Sequence, residues 1–123
     1  MLHLSASCRY YLHRGQTDMR KGFDSLCGMV QSQLSKDPLS GAVYIFLNRR
    51  RTHIKLLLWE GDGFSIYYKR LEKGSYELPD EATASDEQLS ISSRQLLLML
   101  QGISLKKVQY RLRYQHKNSF VDK

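Results

Sequence analysis

The chain has 123 residues, 41% apolar and 25% charged, with 19 Lys and Arg against 12 Asp and Glu and a formal charge of +7. Length suits one domain around one core and excludes two large ones. Eight Tyr, four Phe and one Trp exclude a disordered polycation, so the charge belongs on a folded surface.

Arg9-Tyr10-Tyr11-Leu12-His13 predicts a short aromatic strand, ended by Arg14-Gly15-Gln16. Thr17 then stands where it can cap a helix on which Met19, Phe23, Leu26, Cys27, Val30 and Leu34 share one side. Gly22 and Gly28 would each cost that helix about 1 kcal/mol relative to Ala. Lys36-Asp37-Pro38 ends it. Ala42 to Leu47 and His53 to Trp59 are β-rich runs joined by the polar Asn48-Arg49-Arg50-Arg51-Thr52, a hairpin with an arginine-rich connection. Glu60-Gly61-Asp62-Gly63 turns the chain into a third run, Phe64 to Leu71. Pro79 stops the sheet. Ser92 or Ser93 caps a last short helix carrying Leu96, Leu97, Met99 and Leu100, with Gly102 just past its end. The expected fold is α+β, an antiparallel β-meander packed with two helices in the order β-α-β-β-β-α. Its boundaries are one domain over 1–105 with a mobile acidic loop at 79–90, and a basic tail over 106–123.

Charge is distributed unevenly. Residues 1–76 hold twelve bases and six acids, 77–90 hold five acids and no base, and 92–123 hold seven bases and one acid. No apolar run nears the roughly 18 residues of a membrane span, and the first residues lack the basic and apolar stretches of a secretory signal. Cys8 and Cys27 form no disulfide framework or CxxC pair, which implies a reducing cytoplasm. The four histidines are scattered, so neither a metal nor another cofactor is expected. Asp18, Asp24, Glu60 and Asp62 are the carboxylates to weigh for metal-assisted phosphodiester chemistry. Asp18 and Asp24 diverge on a helix, however, and Glu60 and Asp62 are simpler as turn formers. No catalytic residue emerges, and an enzyme is not the expectation.

The positive groups carry more signal. Asn48, Arg49, Arg50, Arg51 and His53 sit on or beside a hairpin connection, where long side chains can reach a polyanion. Arginine suits phosphate because its fork donates two parallel hydrogen bonds. Lys55, then Lys69, Arg70 and Lys73, and Arg20 with Lys21 on the first helix, could extend that surface. The tail from Lys106 to Lys117 interleaves bases with Tyr110 and Tyr114, a pattern suited to phosphate contact and stacking.

Thr17-Asp18-Met19-Arg20-Lys21-Gly22-Phe23-Asp24-Ser25-Leu26 is followed by Val43 to Leu47 running into Asn48-Arg49-Arg50-Arg51. Then come Lys55-Leu56-Leu57-Leu58-Trp59 with Gly63-Phe64, Lys69-Arg70-Leu71-Glu72-Lys73-Gly74, and Leu98-Met99-Leu100-Gln101-Gly102-Ile103. In this order they resemble the small accessory protein of bacterial insertion sequences of the sixty-six family, often labelled TnpB accessory protein, over about residues 8–105. The RNA-guided nuclease that shares the label is a different and much longer chain. The resemblance implies a non-catalytic role in transposition beside a separate transposase. Charge and resemblance together lead us to expect DNA contact through the arginine hairpin. The alternative is an adaptor that docks on the transposase, or on a second copy of itself, through Tyr44, Phe46, Trp59 and Tyr67 or the helix Leu96 to Leu100.

Overall fold

The computed structural model describes residues 4–79 and 88–102. Chain order is β1 (Tyr10–Gln16), α1 (Phe23–Ser32), a 3-10 turn (Pro38–Ser40), β2 (Val43–Leu47), β3 (His53–Trp59), β4 (Phe64–Arg70), β5 (Gln88–Ile91) and α2 (Ser93–Leu100). The strands make one sheet in the order β4-β3-β2-β1-β5.

Period-two alternation along these strands buries both faces of the sheet, because a helix lies on each. Leu12, Val43, Ile45, Ile54 and Leu56 join Leu96 and Met99 of α2 in one cluster. Tyr44, Phe46 and Leu57 join Leu26, Met29 and Val30 of α1 in the other. The fold is α+β, as expected, but the sheet is mixed. β1 and β2 run parallel, paired from Tyr10↔Val43 to Leu12↔Ile45, with α1 in the crossover between them. The meander rule holds only for β2-β3-β4, where the turns are short.

Four further expectations are corrected. β1 continues through Gly15 to Gln16, and a Cβ at Gly15 would meet the buried His13 ring at 3.0 Å, so the glycine serves the strand rather than a turn. Thr17 does not cap α1. Its N–H extends the sheet by donating to the Leu47 carbonyl at 2.8 Å, and the helix begins only at Phe23, with Gly22 as its N-cap and Ser32 as its end. Residues 88–90 are not loop but strand, since β5 pairs antiparallel with β1 from Gln88↔His13 to Ile91↔Tyr10. Finally, Tyr44 and Phe46 are sealed in the core under α1 while Tyr67 packs on the opposite face, so these aromatics form no common docking face. Residues 80–87 of the expected acidic loop, and the tail 106–123, lie outside the described residues.

Candidate nucleic-acid interface

The connection between β2 and β3 is built by Asn48. Its Oδ1 accepts from the backbone N–H of Thr52 at 2.9 Å and of His53 at 3.0 Å. Its amide nitrogen therefore faces the Thr52 hydroxyl at 3.1 Å and His53 Nδ1 at 3.2 Å. An amide N–H can only donate, and the Thr52 hydroxyl lies 2.8 Å from the same ring nitrogen. His53 Nδ1 is thus an acceptor, and the ring proton sits on Nε2. The turn closes with the Arg51 N–H donating to the Asn48 carbonyl at 3.0 Å. Arg51 takes a left-handed φ of 59°, the residue where the backbone turns back into β3.

This latch points the loop's side chains outward. Arg49, Arg50 and Arg51 are exposed, and their guanidinium groups form no ion pair with any described carboxylate. Beside them a cleft of about 590 Å³ is lined by Thr17, Asp18, Met19, Asn48, Arg49, Arg50 and His53, with Gln16 at its edge. Thr17 Oγ1 is buried there without a hydrogen-bond partner.

The far wall of the cleft is the non-helical stretch between β1 and α1, held by Lys55. That lysine is only 8% exposed. Its Nζ donates to the carbonyls of Met19 and Lys21, both at 2.8 Å, and lies 4.6 Å from the Tyr68 ring centroid. Lys55 is therefore a clip between sheet and segment, not a free cation. Arg20, expected on a helix, projects from this clipped stretch and is engaged by Asp18. Its Nε and Nη2 reach the carboxylate at 3.1 and 2.7 Å, while its backbone N–H donates to Oδ1 at 2.9 Å. These hydrogen bonds from Arg20, with its charge and that of Lys21, hold the Asp18 carboxyl down at about 2.

The remaining expected residues divide. Lys21 lies on the clipped stretch, half-buried. Arg70 pairs with His53 across the β3-β4 ladder, but its guanidinium is held by Glu72 at 2.9 and 3.1 Å. Lys69 points to the other face, where its Nζ donates to the Leu100 carbonyl at 3.4 Å and serves the C-terminal end of α2. Lys73 is exposed on the loop after β4, whose Tyr76 N–H returns to the Arg51 carbonyl. The structure thus gathers Arg20, Lys21, Asn48, Arg49, Arg50, Arg51 and His53 at one end of the sheet. It sets Lys55 and Lys69 aside. Gln16, Thr17 and Met19 join the cleft unforeseen, because that stretch reads as the start of a helix.

A family model described as IS66 Orf2 like protein matches residues 8–110, most of the chain and all of this site. The chain belongs to the IS66 Orf2-like family. Two relatives from Sinorhizobium fredii, both named only as uncharacterized proteins, support the assignment. One, y4hO, is 35% identical over 103 residues, 84% of this chain and 87% of its own length. The other, y4jC, is 27% identical over 109 residues, 89% of this chain and 91% of its own. No solved structure matches the chain significantly. Membership places this IS66 Orf2-like protein among transposition-associated accessory proteins of insertion sequences. Among its described residues no helix is long and apolar enough to cross a membrane, and no three His, Cys, Asp or Glu side chains gather as a metal site would require.

Proposed function

We propose that this protein assists transposition in the cytoplasm by gripping DNA through Arg49, Arg50 and Arg51, leaving strand chemistry to a separate transposase. Arg20, Lys21 and His53 line the approach, and Lys73 adds charge from the neighbouring loop. The observation that carries the reading is the combination of a rigid latch with unpaired arginines: the loop is fixed by Asn48 and Thr52, while the guanidinium groups on it have no acid partner among the described residues. Cations held out in this way neutralise phosphates, and the release of condensed counterions drives binding.

Replacing the three arginines together with alanine should weaken binding to the element's ends and flatten its salt dependence by about three units of log–log slope for each chain bound, near −0.9 for each phosphate no longer neutralised. Thermal stability should change little, since the three side chains are exposed. The measurement is an electrophoretic shift on terminal repeats and on an unrelated duplex at two salt concentrations; equal binding by both proteins would remove the assignment. A second reading, docking on the transposase, is favoured by Leu97, which α2 leaves 45% exposed. Failure of Leu97→Glu to reduce co-purification with the transposase would set it aside.

A further inference from the structure

The two edges of the sheet differ. β5 is four residues long, whereas β4 runs seven residues, Phe64-Ser65-Ile66-Tyr67-Tyr68-Lys69-Arg70, in unbroken register with β3 and with no strand on its other side among the described residues. Flanking hydrogen bonds show which of its backbone groups are spent. Glu60 N–H donates to the Gly63 carbonyl, and Leu71 N–H donates to the Thr52 carbonyl, both at 2.8 Å. Antiparallel pairs alternate between bonded and non-bonded, so residues 65, 67 and 69 turn their N–H and C=O groups toward β3. Phe64, Ile66, Tyr68 and Arg70 turn theirs outward. A seven-residue edge with outward-facing N–H and C=O groups is a template for another strand.

We infer that β4 pairs antiparallel with β4 of a second copy, making one continuous sheet across a two-fold axis. The strand is self-complementary in one register. With Tyr67 opposite Tyr67 of the second copy, Phe64 opposes Arg70 and Ile66 opposes Tyr68, and every outward-facing residue of β4 finds an outward-facing partner. The charges fit this register as well. Each Arg70 meets a Phe64 ring, each Lys69 meets Ser65, and no two cations stand opposite one another. Side chains on the α1 side support the same occupant. α1 stops short of β4, leaving Phe64 and Ile66 half-buried and Tyr68 51% exposed. Pairing would set Ile66 and Tyr68 of one copy beside Tyr68 and Ile66 of the other, flanked at either end by a Phe64 and Arg70 pair. This inference is independent of DNA binding.

The test measures mass in solution for the full chain and for Ile66→Pro and Ile66→Lys. Ile66 donates its N–H outward, so proline there deletes no bond to β3, and proline is accepted on a strand edge in that orientation. Lysine keeps the backbone and replaces apolar cross-strand packing with charge. The expected result is twice the 14.4 kDa chain mass for the natural sequence and a shift to single chains in both variants. Amide exchange should be slow at 64, 66, 68 and 70 in the natural protein and fast there in Ile66→Lys, while 65, 67 and 69 stay protected in both. A natural chain that is monomeric, or dimers that persist in both variants, would overturn the inference. Should Ile66→Pro fail to fold, Ile66→Lys and the exchange pattern decide.

Discussion

Lys55 shows how one side chain can decide the geometry of a surface it does not reach. Its ammonium is buried against two main-chain carbonyls and the Tyr68 ring, and those carbonyls belong to the stretch that carries Arg20 and Lys21. Lys55→Met keeps the stem's packing and removes the donors, leaving both carbonyls short of a partner. The expected cost is about 1–3 kcal/mol in urea unfolding, with DNA binding weakened because the clipped stretch is displaced, not because Lys55 itself meets a phosphate. Asp18 acts in the opposite sense. Its folded pKa of about 2 lies below the ordinary 3.8, so its contribution to stability is present above about pH 4 and fades as pH falls toward 2. The Asp18 side chain is about half exposed, and its larger effect is on charge: it occupies the Arg20 fork at the edge of the cleft. Asp18→Asn should release that fork and tighten binding to duplex DNA, most visibly at low salt. Unchanged affinity at low salt would show that Arg20 lies outside the interface.

Elements that the sequence discloses are those whose pattern is local. β3 reads correctly from His53 to Trp59 because apolar residues bounded by Thr52 and Gly61 leave one interpretation. α2 reads correctly because a serine stands before an apolar run closed by Gly102, and the structure fixes the cap as Ser92 in a capping box, its side chain accepting from Gln95 N–H at 3.1 Å and the Gln95 side chain accepting from Ser92 N–H at 2.9 Å. Ser92→Ala should therefore lower the thermal unfolding free energy by about 1 kcal/mol. The start of α1 misleads because Thr17, Met19 and Phe23 imitate a capped amphipathic turn, while Thr17 is in fact claimed by Leu47 across the sheet. β5 is hidden because its alternation, Gln-Leu-Ser-Ile, lasts only four residues beside an acidic run, and only their pairing with β1 makes them a strand. The arginine hairpin is legible in composition. The burial of Lys55 has a faint signal: period two puts it on the same face as Leu57, and that face lies under α1.

At the scale of the whole molecule, the basic end and the free edge constrain each other. In the self-complementary register the two-fold axis stands perpendicular to the sheet, so both copies present α1 on the same side and carry their arginine loops at opposite ends. Six residues of strand at about 3.4 Å each, a few ångströms of loop at either end, and four strand spacings of about 4.8 Å sideways separate the two loops by roughly 35 Å. That is close to one turn of B-DNA, about 34–36 Å. The diagonal between the loops crosses the two β4 strands, the part of the sheet that α1 leaves uncovered, as the exposure of Tyr68 shows. A duplex of about 10 base pairs should then engage one loop, with a log–log salt slope near −3, and one of about 20 base pairs should engage both, with a slope near −5. Fluorescence anisotropy titrations across a salt series would check this. Ile66→Lys, held as single chains, should give the shallower slope on both duplexes while retaining its arginines. If the natural protein shows one slope on both lengths, the loops do not act as a spaced pair, and the surface then works as two separate grips or as one.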